Sequence, residues 1–478
     1  MPLNKIFIDD FLTYSDPIFK IPSKEFLKST NRLAEFLIEK GAEYNKSEIP
    51  FWDLFETGEK YYEDHQIVDL IYRNVLGDHQ LYLFTDEGLM ENIIFEVGTK
   101  SIFQNFTVEY ETNYEMMFFQ PADYISFFPG EKKINIIHIG DSHIQPDIIT
   151  GKIRHLILTD SILGKNRAGR GYFFPAVLAN AGHDPLSIEA TFDGKWSGCR
   201  NLSKTRIGTP ACAWGLAGMT ATTEEICATV NMRPREVEGI KHQISTIRIY
   251  YPTADSTSFY PILWTENGFI KPNNIFAEGY AEFTLKKTTH KISLAFSKHS
   301  ENQTHFTLQG ISFDNNAQKG ISYHSVGVNG AEVGSFVNSP LFIPHLQTLT
   351  PDLVIISLGT NNGYKYDYNE PEFVADFEKL LKNIQNNCPN INILLTTPAD
   401  TYFQGAKNPN KNTQKMQKQL YVLAEKYKIA LWDLYEIMGG LGAVAKWQNA
   451  GLAHSDKVHY KQKGYQLQGK LLFEALLK

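Results

Sequence analysis

Ser142 stands in Gly140-Asp141-Ser142-His143, directly behind the apolar run Ile134 to Ile139 and ahead of a helical stretch, Pro146 to Leu158. A hydroxyl at that junction lies at the carboxyl edge of a sheet, where open α/β sheets bind ligands. Serine is a weak nucleophile until a base takes its proton. The best base in the chain is His459, in Ala453-His454-Ser455-Asp456-Lys457-Val458-His459-Tyr460, on a loop before the last helix. Asp456, three residues earlier, can turn back to hold the imidazole by its Nδ1–H. That fixes the tautomer and stabilises the imidazolium. The chemistry is acyl transfer, and such a triad needs no cofactor and no metal. Taken singly, the pieces are weak. The tripeptide recurs by chance, and a loop histidine is more often a solvated surface residue. Their order carries the reading: the serine ends the first strand, Gly359-Thr360-Asn361 ends a middle strand, and Asp456-x-x-His459 precedes the final helix.

The elements that must position these residues follow from periodicity. Ile134 to Ile139 reads as a central strand of a parallel sheet, apolar on both faces. Leu353 to Leu358, Ile391 to Leu395 and Ile429 to Leu434 are further strands. Helices alternate with them at Pro371 to Asn386, Gln414 to Lys428 and Lys461 to Leu477. Alternating segments predict an α/β fold with a doubly wound parallel sheet. The middle alternates apolar and polar residues instead, at Thr246 to Tyr251, Tyr280 to Leu285, Ile292 to Phe296 and Phe306 to Phe313. That is antiparallel patterning and predicts an inserted all-β sandwich over about 185–320. Gly169 to Gly182 precedes it and is read with the α/β domain. Residues 1–105 form an N-terminal α/β segment with a weak internal repeat. Arg32 to Lys40 with Ile49 to Glu56 echoes Gln419 to Lys426 with Ile429 to Glu436. Counted back from Gly88 as from Gly464, Leu83 and Gln80 stand where His459 and Asp456 do, so such a half-copy is not catalytic.

Composition removes several classes. Across 478 residues the net charge is −7, which argues against nucleic acid, where a basic patch is expected. The four cysteines form no CxxC pair, so a zinc or redox motif has no support. Three of them, Cys199, Cys212 and Cys227, share one stretch, and the sequence leaves a disulfide there open. No run of 18 apolar residues marks a transmembrane helix. The opening, MPLNKIFIDDFLTYSD, lacks the apolar core of a secretory leader. The 24 Tyr and 31 Phe are mostly core filling, though exposed aromatics also stack on sugars.

The combination resembles the SGNH, or GDSL-like, hydrolase family. Gly140-Asp141-Ser142 matches its first block, with His143 where leucine is usual. Gly330, in Val326-Gly327-Val328-Asn329-Gly330-Ala331, matches the loop glycine of the second. Gly359-Thr360-Asn361-Asn362 matches the third, its last position Asn in place of Asp, and Asp456 with His459 matches the fifth. The resemblance implies a flavodoxin-like sheet in two parts, 130–184 and 321–478. It also implies an oxyanion hole from the Ser142 and Gly330 backbone N–H groups and the Asn361 amide. A fixed amide donor can stabilise the developing oxyanion by about 3 kcal/mol. Gly140 to Gln145 followed by Ala168 to Pro175, with a β-rich insertion, is similar to peptidoglycan O-acetylesterases. That likeness implies an O-acetylated glycan as substrate, a periplasmic or extracellular place of work, and a site lined by His143, Gln145, Arg170 and Trp196. A lipid or thioester hydrolase, or an acyltransferase, would use the same triad. The rival from another class is a non-catalytic glycan-binding protein on a degenerate scaffold, against which the intact Ser, Gly, Asn, Asp and His argue.

Overall fold

The computed structural model describes residues 132–477, apart from 160–162, 164–167, 183, 203–211, 237–240, 390 and 404–407. The reading of 1–105 lies outside the described residues. The described residues divide into two compact units, 132–362 with 369–394, and 363–368 with 395–477.

In the first unit, Lys133–Gly140 pairs in parallel with Gly320–Gly327 on one side and Leu353–Ser357 on the other. Ile137 and Ile139 are fully buried, as a strand covered on both faces requires. The register sets Gly140 opposite both Gly327 and Ser357, so three strands end level at the serine. The strand Asn392–Thr396 starts beside this group, where Asn392 N donates to Asp352 O at 3.2 Å. Helix Ile148–Thr159 follows the serine and buries Ile149, Ile153 and Ile157, the side the periodicity marks. Asp147, at a left-handed φ of 61°, opens it.

The long insertion is antiparallel, but its strands fall into three sheets and not the two of a simple sandwich. One runs Asn274–Phe276, Tyr280–Thr289, Ile244–Tyr250, Gly310–Asp314 and Gly171–Phe173. The second runs Ile188–Asp193, Thr229–Pro234, Ile292–Ser297, Tyr260–Thr265 and Gly268–Ile270. The third holds Phe306–Leu308, Met219–Thr223 and Ser197–Arg200. The antiparallel part therefore begins at Gly171, earlier than the expected 185. Tyr172 and Phe173 are fully buried there, the latter against Phe313 with ring centroids 4.9 Å apart. Cys199 and Cys212 are joined by a disulfide, while Cys227 and Cys388 are free.

In the second unit, Thr397 N donates to Trp432 O at 3.1 Å, which sets the strand Ala430–Trp432 beside the end of Asn392–Thr396. Helix Lys411–Tyr427 starts at Asn410, whose side chain accepts from Asn412 N. The chain closes with helix Gln462–Leu477. Its start is fixed by Gly464, where a Cβ would come within 2.2 Å of Leu452 O, so only glycine fits. No helix among the described residues is long and apolar enough to cross a membrane.

Candidate active site

Ser142 occupies the turn between its strand and helix and is half-buried. The turn is tight: Ile144 N and Gln145 N both donate to Asp141 O, at 3.1 and 3.0 Å. Asp141, buried, also accepts from His143 N at 3.0 Å. These bonds hold the serine at the end of the strand by satisfying backbone groups that the sheet no longer pairs.

The glycine loop docks on the same edge. Val328 N donates to Gly140 O at 3.1 Å, and Ala331 N to Val328 O at 3.0 Å. The turn places Gly330 at a φ of 85°, a conformation that costs glycine nothing and other residues strain. A Cβ there would meet Leu202 Cδ2 at 3.4 Å. Neighbouring Asn201 donates its side-chain amide to Ser335 O, and to Ser339 Oγ at 2.6 Å. So the arm leaving Cys199 is strapped to the helix Val333–Val337 that follows the glycine loop.

Asn361 links the two loops. Its Nδ2 donates to Ala331 O at 2.9 Å and to Asp141 Oδ2 at 3.3 Å. Asn362, which stands where the resembled motif has Asp, is buried and accepts from Val333 N at 3.1 Å through Oδ1. An amide oxygen serves that backbone donor as well as a carboxylate would, without adding a buried charge.

In the other unit, Asp456 and His459 share one closed loop. His459 Nδ1–H donates to Asp456 Oδ2 at 2.8 Å, and the backbone N–H groups of Val458 and His459 donate to Asp456 Oδ1, each at 3.0 Å. Lys457, at a φ of 53°, makes the bend that brings both N–H groups to one oxygen. Burial would raise the Asp456 pKa, but the His459 and Val458 N–H groups and the His459 ring outweigh it and hold it below the usual carboxylate value. His454 N donates to His459 O at 2.8 Å and Lys461 N to Leu452 O at 2.8 Å, closing the loop's neck. Tyr402 N donates to Lys457 O at 2.9 Å, and Tyr460 Oη to Asp400 O at 2.8 Å. The dyad loop thus rests on the segment after the strand Asn392–Thr396, a support that no motif announced.

The four expected lining residues sit as follows. Arg170 is 1% exposed; its Nη2 meets Asp147 Oδ2 at 3.0 Å, its Nε Ser187 Oγ at 3.0 Å and its Nη1 Tyr172 O at 2.9 Å. Asp147 is also paired with Arg154. Burial would raise the Asp147 pKa, but the two guanidiniums hold it far below the ordinary value. A guanidinium so paired is a buried brace, a correction to its expected place at the substrate. Gln145 is buried too, its Nε2 donating to Ala181 O and its Oε1 accepting from Asn329 N, both at 2.6 Å. It props the glycine loop. His143 is buried beside the serine. Trp196 is half-buried; its Nε1 donates to Asp193 O at 3.2 Å and its ring lies 6.1 Å from that of Phe296.

A serine at the end of a parallel strand, with a left-handed glycine and an asparagine amide beside it, defines the class of carboxylic ester hydrolases. The model of the GDSL-like Lipase/Acylhydrolase family matches residues 307–467 of the chain. The match spans the glycine, asparagine and Asp-His blocks; the serine block lies ahead of it, across the insertion. Among curated proteins none matches the chain. Of solved structures, "Peptidoglycan O-acetylesterase in action" shares the fold over 76% of this chain and 95% of its own, at 19% identity and TM-score 0.59. An acetyl xylan esterase covers 32% of this chain and 81% of its own (17% identity, TM-score 0.28). A lipase/acylhydrolase from Enterococcus faecalis covers 32% and 75% (21% identity, TM-score 0.25).

Proposed function

We propose that the chain removes O-acetyl groups from a carbohydrate through an acyl-enzyme on Ser142. His459 Nε2 takes the Ser142 proton as Oγ attacks the ester carbonyl, and then returns it to the departing sugar alkoxide. Water, deprotonated by the same nitrogen, attacks the acyl-enzyme and releases acetate and the free serine. Asp456 keeps the Nδ1 proton in place and stabilises the imidazolium. The oxyanion is held by the Ser142 and Gly330 N–H groups and by Asn361. Of the two bonds from Asn361 Nδ2, the 3.3 Å one to Asp141 is the longer and weaker, and the one a carbonyl oxygen would replace.

The observation that carries the esterase reading is the dyad: His459 Nδ1 at 2.8 Å from an Asp456 carboxylate that two backbone N–H groups keep ionised. The acetylated-sugar part draws support from the fold shared with a peptidoglycan O-acetylesterase. The Cys199–Cys212 disulfide supports work in an oxidising compartment, periplasmic or extracellular, because cytosolic thiols are kept reduced. The test is kinetic. Ser142→Ala and His459→Ala should each lower kcat on p-nitrophenyl acetate at least about a thousandfold with the fold intact. The wild type should prefer acetyl over octanoyl esters and deacetylate an O-acetylated oligosaccharide. Near-wild-type turnover in either variant removes the triad, and an octanoyl preference moves the substrate to lipid.

A further inference from the structure

Against the segment that supports the dyad loop stacks the most exposed large apolar side chain among the described residues. Tyr366 is 81% exposed. It is nonetheless ordered against a neighbour: its ring stacks on Phe403, centroids 4.7 Å apart and planes 19° from parallel. Tyr364 flanks the pair, 6.1 Å from Phe403. Stacking covers one face of Tyr366, fixes its plane and leaves the other face to solvent. A tyrosine held this way offers a large amphipathic surface at little cost in side-chain entropy.

The platform adjoins the Asp456–His459 loop. Phe403 follows Tyr402, about 3.8 Å away between Cα atoms. Tyr402 N–H donates to the carbonyl of Lys457, which lies between Asp456 and His459. The Lys457 ammonium sits 4.4 Å over the Tyr402 ring. Along the chain, Tyr364 is three residues beyond Asn361.

We infer that Tyr366, stacked on Phe403 beside the Asp456–His459 loop, is a subsite for a sugar ring of the substrate. This rests on the carbohydrate-esterase reading and deepens it. A pyranose presents a flat face of C–H groups to an aromatic ring and keeps its hydroxyls at the rim, where they stay hydrated. An acyl chain has no flat face and gains more from an enclosed apolar slot than from one open ring. The platform therefore selects for the alcohol part of the ester and leaves the acyl part to the oxyanion side. A ring held on Tyr366 anchors the glycan next to the histidine that must protonate its departing oxygen.

The test uses a tetramer of N-acetylglucosamine carrying O-acetyl groups, with the full chain. In wild type against Tyr366→Ala, KM for the tetramer should rise about tenfold while kcat at saturation changes less than threefold. The loss in kcat/KM on the tetramer should exceed the loss on p-nitrophenyl acetate by about tenfold. Tyr366→Trp, which keeps a ring, should restore the tetramer KM to within threefold of wild type. Direct titration of the tetramer into Ser142→Ala, with and without Tyr366→Ala, should show the same tenfold in Kd. Equal KM and Kd in the alanine variant, with wild type deacetylating the tetramer, overturn the subsite and leave the esterase reading standing. A wild type that ignores the tetramer but cleaves p-nitrophenyl octanoate overturns both.

Discussion

Asn361 donates its side-chain amide to the Asp141 carboxylate at 3.3 Å, tying the residue before the nucleophile to the end of the neighbouring strand. The same nitrogen holds Ala331 O, next to Gly330, at 2.9 Å. One side chain thus sets the distance between the serine turn and the glycine loop. It is both a candidate oxyanion donor and the tie that keeps the other two donors together.

Asn361→Ala should therefore lower kcat on p-nitrophenyl acetate by about a hundred- to a thousandfold, the range for loss of one such donor. KM should stay within about threefold. Steady-state kinetics decide it, and a kcat loss of less than tenfold would take Asn361 out of the oxyanion hole.

Asp400 gives a second prediction. It is fully buried, its Oδ2 accepts from Val444 N at 2.9 Å, and its Oδ1 has no partner. Burial pushes its pKa up to about 7 against a reference of 3.8, with the N–H groups of Val444, Gly442 and Thr401 pulling the other way. Tyr402, Tyr435 and Tyr460 share its surroundings and supply no cation. Between those two values the folded chain keeps a proton that the unfolded chain has released. Stability is therefore lost as pH rises through that window and levels off above about 7. Asp400→Asn keeps the shape and the acceptor without the charge. Its melting temperature should exceed that of wild type at pH 8, by the equivalent of up to about 4 kcal/mol, and the gap should close toward pH 4. Parallel melting curves for the two proteins across this range would refute the assignment.

Buried histidines act in the opposite sense. His138 bonds Tyr323 Oη at 2.9 Å and Ser357 Oγ at 2.7 Å, and burial, with Arg154 nearby, lowers its pKa to about 3. His324 accepts from Tyr172 N at 2.9 Å and is lowered to about 3 by burial, with Lys133 adding. His345, both of whose ring nitrogens lack partners, is lowered to about 4 by burial alone. Below the reference value of 6.5 the unfolded chain takes up protons that the fold refuses. This stability is complete above 6.5 and lost as pH falls. At pH 5 each group should cost about 2 kcal/mol. His345→Leu should flatten the decline in melting temperature between pH 7 and 5, and an unchanged slope would count against a neutral buried ring.

Sequence and structure agree where the information is local. The apolar run before Ser142 reads as a covered strand, and the three-residue step from Asp456 to His459 is short enough for one turn to close. The antiparallel strands at 246–251 and 292–296 were legible for the same reason: their side chains alternate. Gly171–Phe173 was not, because three residues show no period and its partner strand begins at Gly310. Arg170 reads as a solvent-facing charge until Asp147, 23 positions earlier, is folded against it. Tyr366 and Phe403 carry no motif; they become a pair only when two loops meet. What spacing cannot reveal is a contact made by residues far apart whose types are common everywhere.

The Cys199–Cys212 bond bears on how this protein is handled. It closes a sequence separation of 13, which in the chain-entropy view is worth about 3 kcal/mol. One end of that closed loop is Asn201 and Leu202, the wall against Gly330. A chain produced where glutathione keeps thiols reduced lacks the cross-link, and its wall is left to the Asn201 hydrogen bonds and the pairing of Ser197–Arg200 with Met219–Thr223. Reduced and oxidised preparations are then two enzymes with one sequence. A thiol assay of the sample belongs beside every kinetic constant measured on it.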